Sequence, residues 1–373
     1  MLGQLVSFFS IAILMLANDA LGQVKPTDAS VVEADARRVV FLTNGDDPFW
    51  DVCQKGLEYA AKEFKIEEVG LRLVVDKSSE FRADKQLARL KQYATESDIA
   101  AIAISPLDSH SRPIYDALRV LRDDGVKVIC VDTDMDRRKF RDARFAFIGT
   151  DNVIAGEELG RAARGLRPNG GRYATFVGVK ATVNARERVS GFARGAGMTF
   201  KSLDSMEDHG DARKAYENVA DTLTRHAGEV DALVGIWAYN AHAIVKAVDD
   251  LDVHDKQTIL VFDAAERALK HMEDGKIDAM IVQNPFQMGQ LSVQLMVALE
   301  REDHKEIAEM FADYDADAKA FKTKDGDKLN SELRIVVPND DSPLKEEMFH
   351  PDTRFYYYKD FRKWLDDRGL GNS

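Results

Sequence analysis

Short runs of β-branched and aliphatic residues recur along the chain from Arg37 onward, each followed by a stretch with apolar residues at helical spacing. "VVFLT", "LRLVVD", "IAAIAIS" and "VKVICVD" come first, and "DKQLARLKQYA" is one of the intervening segments, with Leu87, Leu90 and Ala94 on one stripe. After "RFAFIGTDN" the pattern restarts with "RYATFVGV", "MTFKSL", "VDALVGIWA", "QTILVFD" and "IDAMIVQ". Apolar runs of this length, uniform instead of alternating, predict strands buried on both faces, and the helices between them predict a parallel α/β sheet. The second half echoes the first. "AIAISPLDSHSRPIYDALRVL" resembles "LVGIWAYNAHAIVKAVDDL", and "VKVICVDTD" resembles "QTILVFDAA", with an offset of about 130 residues. Each of the latter strands closes on an aspartate, Asp132 or Asp263. Two similar lobes facing one another would gather their strand-end loops into one cleft, where open α/β sheets bind ligands.

The rest of the chain departs from this pattern. "ADYDADAKAFKTKDGDKLNSE" is polar and reads as a surface loop or helix, "LRIVVP" as one more strand, and "DTRFYYYKDFRKWLDDRG" as an aromatic-rich helix packed on a lobe. At the other end, "LVSFFSIAILMLANDALGQ" has an apolar core from Leu5 to Ala17 and a small-residue end, which predicts a secretory signal peptide over residues 1–22. The alternative is a retained anchor, since no Lys or Arg precedes the apolar core. No other stretch is long and apolar enough to span a bilayer.

Composition narrows the class further. The 373 residues suffice for two domains, and 45% hydrophobic with 31% charged residues describes a globular protein. A formal net charge of -13 argues against nucleic acid as a partner. Cys53 and Cys130 are the only cysteines; both fall in apolar elements, so two buried free thiols are favoured over a disulfide. The eight histidines show no metal-ligand spacing, and no cofactor motif is present. "GFARGAG" has the look of a nucleotide loop but ends a helix instead of following a strand.

Four stretches together carry a family resemblance: "TNGDDPFWDVCQKG", "VICVDTD", "FIGTDNVIAGEELG" with "NARERVSGF", and "VFDAAERALKHMEDGKIDAMIVQNPFQMG". From about Arg38 to Pro338 the chain resembles the periplasmic sugar-binding proteins of the ribose-binding type. That resemblance implies the type I periplasmic binding protein fold: two doubly wound parallel-sheet lobes joined by a three-strand hinge. The lobes would comprise residues 38–149 with 285–330, and 150–284 with 331–345, followed by a helical tail over 346–373. Hinge crossings are expected near Gly149-Thr150, Gln283-Asn284 and Val336-Val337.

The resemblance also implies a site. Asp47 stands at a polar ligand contact, and Phe49 and Trp50 at two aromatic positions that would cover the apolar faces of a sugar; ordinary core packing is the alternative for both. Asp132 matches the aspartate ending the fourth strand. Thr133 follows it where ribose binders have arginine, which puts ribose itself in doubt. Arg186 matches the arginine of the second lobe, with Glu187 and Arg188 assigned to helix-surface or hinge contacts. Either Tyr239 or Asn240 is the next contact, Asn240 being favoured because it donates and accepts. Asp263 and Gln283 complete the set, and His209 is expected at the surface. The function implied is an exported, periplasmic and monomeric receptor that hands a monosaccharide to the permease of an ABC importer. A sensing receptor of the same fold is the alternative, and a sugar-modifying enzyme a weaker one.

Overall fold

The computed structural model describes residues 36–46, 48–180, 182–253 and 257–373. The predicted signal segment and Asp47 lie outside these. The first lobe runs β1 (Arg37–Leu42), α1 (Pro48–Glu63), β2 (Leu71–Asp76), α2 (Ala83–Tyr93), β3 (Ile99–Ile104), α3 (Arg112–Asp123), β4 (Lys127–Val131), α4 (Arg137–Phe140) and β5 (Phe147–Gly149). The second runs α5 (Asn152–Leu166), β6 (Gly171–Val177), α6 (Val183–Ala196), β7 (Phe200–Glu207), α7 (Ala212–Arg225), β8 (Ala232–Gly235), α8 (Asn240–Asp250), β9 (Thr258–Phe262), α9 (Glu266–Glu273) and β10 (Ala279–Val282). The chain then returns to the first lobe with α10 (Pro285–Glu300), α11 (His304–Met310), the short pair β11 (Tyr314–Asp315) and β12 (Ala320–Phe321), and β13 (Lys328–Asn330). It ends in the second with β14 (Leu333–Val337), β15 (Thr353–Tyr357) and α12 (Tyr358–Asp366).

The first sheet has the order β13-β5-β4-β3-β1-β2, and the second β15-β14-β10-β9-β8-β6-β7. Within each lobe the first five strands follow the same 2-1-3-4-5 order, so the echo in the sequence is an echo in topology. All pairings are parallel in both sheets except β10 with β14. β3, with every residue buried, sits centrally between helices on both faces, which explains its unbroken apolar sequence. Cys53 and Cys130 are both fully buried and unpaired with each other.

The chain crosses between lobes three times. Two crossings fall where expected, at Gly149–Asp151 and at Gln283–Asn284. The third is at Ser331–Glu332, between β13 of one sheet and β14 of the other; Val336 and Val337 instead lie inside the second sheet, paired with Tyr356 and Tyr357. The approach to this third crossing is anchored by charge. Asp327, its side chain 1% exposed, meets Arg144 at 2.8 Å, Arg137 at 2.6 Å and Arg141 at 2.8 Å. Despite the cost of burial, Arg144 and Arg137 hold its carboxyl below the usual range.

The tail corrects the sequence reading. "DTRFYYYKDFRKWLDDRG" is a strand followed by a helix, not one helix. β15 extends the second sheet beside β14, with Phe355 and Tyr357 packing on one side and Tyr356 and Tyr358 on the other. Period-2 alternation of aromatics is the strand signal here. The polar stretch before β14 is likewise neither plain loop nor helix: it holds the small hairpin β11–β12, whose Phe321 packs on Phe145, Phe311 and Tyr314.

"GFARGAG" has a packing role. α5 and α6 approach so closely that a Cβ on Gly191 would stand 2.3 Å from the Val153 carbonyl oxygen, and one on Gly195 would stand 2.0 Å from that of Glu157. Backbone on the far side cannot yield as a flexible side chain would. Gly195→Ala should therefore destabilise the second lobe by about 1–3 kcal/mol through overpacking, read as a lowered midpoint in urea unfolding. A midpoint equal to that of the natural protein would show that the helices separate at no cost.

Candidate functional site

β1, β3 and β4 end in a polar network on the first lobe. Asn44 follows β1, Ser105 follows β3, and Asp132 follows β4. Trp50 Nε1 donates to Asn44 Oδ1 at 3.0 Å, Asn44 Nδ2 to Ser105 Oγ at 3.4 Å, and Ser105 Oγ to Asp132 Oδ2 at 3.5 Å. Thr133 Oγ1 adds a donor to the same carboxylate oxygen at 3.2 Å. On the second lobe Asp263 ends β9 in the corresponding place. Both aspartates adopt left-handed backbone, with φ of 63° at Asp132 and 65° at Asp263. Aspartate enters that region more readily than most L residues, and at both positions it turns the chain at a strand end.

Arg188 lies beside Asp263. It is 2% exposed, its Nη1 is 3.8 Å from Asp263 Oδ2, and its guanidinium lies 4.6 Å over the Phe262 ring. Nε donates to Asn152 Oδ1 at 2.9 Å and Nη1 to the Ile236 carbonyl at 3.1 Å. The field of Arg188 also reaches Asp132, on the opposite lobe. Burial is the larger influence on Asp132: crowded by protein on the cleft wall, its carboxyl is pushed up to about 6, against the opposing pull of Arg188 and Thr133 and with added repulsion from Asp263.

The hinge is wired into this arrangement. Gln283, 2% exposed at the second crossing, donates from Nε2 to Asp263 Oδ1 at 3.0 Å and accepts at Oε1 from Thr150 Oγ1 of the first crossing at 2.8 Å. A cavity of about 520 Å³ opens alongside, walled by Asp132 and Thr133 from one lobe, Thr150 at the hinge, and Asn184, Arg186 and Glu187 from the other. That size suits a small polar ligand.

The structure thus brings Asp132, Thr133 and Arg186 around one cavity, from opposite lobes, and links Asp263 to Gln283. It departs from the sequence reading elsewhere. Trp50 is 3% exposed: its ring packs 5.8 Å from Phe41 and edge-on to Phe49 at 4.9 Å, so protein rather than ligand covers it. Its helical phase places it on the buried stripe with Cys53, Leu57 and Ala60, while Phe49, one residue earlier, remains half-buried. Asn240 is fully buried, accepting from the Trp237 N–H at 3.0 Å and donating to Asp208 Oδ2 at 3.0 Å; its amide is spent on bracing the loop. Tyr239 donates its hydroxyl to the same Asp208. Glu187, placed away from the cleft by the sequence, lines the cavity, and burial with nearby Asp151 raises its carboxyl above the usual range. Arg188 is no helix-surface residue, whereas Arg186 is exposed at the cavity rim. His209 is exposed.

Asn44, Ser105, Asp208 and Trp237 escaped the sequence reading. Asn44 and Ser105 share one signal, a polar residue just after an apolar strand, whereas Asp208 follows the polar strand β7 and carries no such mark. Trp237, at the end of β8, packs over Gly178, where a Cβ would stand 2.0 Å from its ring, and edge-on to Tyr239. Among the described residues no cluster of three or more His, Cys, Asp or Glu is placed to hold a metal, and no helix is long and apolar enough to cross a membrane.

Two lobes of parallel sheet, three crossings and a polar cleft at the strand ends define a bilobal solute-binding receptor. The sequence profile of the family described as periplasmic binding protein domain matches residues 38–304, and the chain belongs to that family. Among its relatives, the ribose import binding protein RbsB of Escherichia coli (strain K12) is 28% identical over 252 residues, covering 67% of this chain and 79% of the relative. The D-allose-binding periplasmic protein of the same organism is 26% identical over 279 residues, 72% of this chain and 86% of the relative. A solute-binding protein from Burkholderia graminis, solved in complex with D-arabinose, superposes with a TM-score of 0.68 at 20% identity, over 84% of this chain and 99% of that one. This last likeness bears on fold alone, and it agrees with the type I architecture.

The raised Asp132 carboxyl has a consequence for stability. In the native protein it keeps its proton up to about pH 6, whereas in the unfolded chain it loses it near the ordinary value of about 3.9. The native state binds more protons in that window, so this group's contribution to stability falls as pH rises through it. Asp132→Asn should raise the ligand-free Tm at pH 7.5 by a few degrees, with the gain fading toward pH 4. Scanning calorimetry checks this, and an unchanged or lowered Tm at pH 7.5 contradicts it.

Proposed function

We propose that the protein is an exported, periplasmic receptor that captures a monosaccharide between its lobes and presents it to the permease of an ABC importer. The observation that carries the reading is the opposition of Asp132 to the Arg188–Asp263 pair across the cleft. Carboxylates accept two hydroxyl hydrogen bonds each, and a guanidinium offers five donors in a fixed fork. Acceptors and donors contributed from the two lobes suit the hydroxyl edge of a sugar, each of whose hydroxyls both donates and accepts a hydrogen bond. The names of the relatives, which specify ribose and D-allose, support the ligand class. Thr133, in place of the arginine of ribose binders, favours a different sugar from ribose. Half-buried Phe49 supplies an apolar face, while buried Trp50 braces Asn44 and, through it, Ser105 and Asp132.

A thermal-shift screen against a panel of monosaccharides identifies the ligand, and calorimetry then measures its affinity. Asp132→Ala leaves sugar hydroxyls without their acceptor in a closed site, at a cost on the order of 1–3 kcal/mol, so affinity should fall roughly tenfold to several hundredfold. Arg188→Lys should also weaken binding, because an ammonium cannot reproduce the fork. A panel in which no sugar raises the Tm, or a ligand bound equally well by Asp132→Ala, overturns the reading.

A further inference from the structure

The segment from Tyr358 to Ser373 lies beyond residue 304, where the family match ends. It does not simply cover the second lobe. α12 is fastened to β14, the strand that leaves the third crossing: the Trp364 ring is held between Arg334, 3.8 Å from its centroid, and Arg368, 4.3 Å away. Past the helix, the backbone of Ser373 pairs with that of Ala264, N–H to carbonyl in both directions at 2.9 and 3.3 Å. Ser373 Oγ donates to the Gln283 carbonyl at 3.1 Å. Ala264 adjoins Asp263, and Gln283 is the hinge residue that holds the Asp263 carboxylate. Between these two anchorages the segment reaches the opposite lobe. Lys55 Nζ of α1 donates to the Gly369 carbonyl at 2.5 Å, and Val52 of α1 is buried in the same apolar cluster as Phe361, Leu365 and Leu370.

We propose that residues 358–373 form a strap across the hinge that sets the angle between the lobes and positions Asp263 and Gln283. A bridge touching both lobes and two of the three crossings cannot stay intact while one lobe rotates on the other. Its contacts therefore favour the observed interlobe angle over any other. Releasing them at α1 frees the rotation without touching a cleft residue. The positioning of Asp263 ties this inference to the proposed function, but the angle itself needs no ligand to be measured.

The test uses the full chain with spin labels at Arg82→Cys and Arg213→Cys. These are exposed positions near the cleft ends of the two sheets, with side chains 58% and 84% exposed. Cys53 and Cys130 are fully buried and their thiols are pushed up by that burial, so labelling falls on the introduced sites. Pulsed electron-spin distance measurements are made without ligand on this background and with Lys55→Ala and Leu370→Ala added together. The distance distribution should broaden or shift, with far-UV circular dichroism unchanged. Lys55→Ala alone, on the solvent face of α1, should move it in the same direction and carries the test if the double variant fails to fold. Distributions that superimpose on the parent in the folded variants overturn the strap, whatever the sugar screen returns. If a sugar is found, its affinity should change by at least twofold in the double variant. A displaced distribution with unaltered affinity would remove the positioning of Asp263 from the proposal.

Discussion

A buried arginine paired with one strand-end carboxylate and acting electrostatically on a second is the interaction on which the rest of this structure depends. Arg188 and Asp263 sit on one lobe and Asp132 on the other, so the attraction acts across the cleft. Removing charges from water is expensive, and a buried cation persists only when partners surround it. Arg188 has them: Asn152, the Ile236 carbonyl, the Phe262 face and Asp263. Asp132 is less well supplied, with two hydroxyl donors at 3.2 and 3.5 Å and a second acid in range.

The hinge belongs to the same network. Gln283 and Thr150 connect two crossings directly to Asp263, so the position of this carboxylate and the conformation of the crossings are coupled. Elsewhere the crossings are stiffened by charge, through Asp327 with its three arginines, and by the aromatic and backbone anchorage of the strap. The lobes themselves are rigid for a different reason. Glycine-lined helix contacts such as α5 on α6 bring backbones together with no side chain to yield.

Much of the fold was legible in the sequence, because a doubly wound fold writes its strands as unbroken apolar runs and closes them on polar residues at the cleft. Asp132, Asp263 and Gln283 were readable in that way. The orientation of side chains around helices was not. Trp50 and Phe49 differ by one helical position, and only the packing of α1 on the first sheet decides which turns inward. Arg186 and Arg188, two positions apart, lie on nearly opposite sides of α6. The signal that separates them was present: Arg188, Gly191 and Gly195 share one face, and a glycine face marks the side pressed against another helix. The third crossing was misplaced by a few residues because "LRIVVP" is uniformly apolar and carries no mark of where it enters the sheet. The aromatic alternation of β15 was missed because the charged residues after it set the helical reading for the whole segment.

The central claim is that Arg188 acts on Asp132 from the opposite lobe. Carbon-13 NMR of the protein labelled at aspartate carboxyls, titrated without ligand, measures this directly. Asp132 should titrate at about 6, and Arg188→Met should move it higher, since the cation favours the ionised form. A carboxyl titrating in the ordinary aspartate range, or one indifferent to the loss of Arg188, would contradict the account.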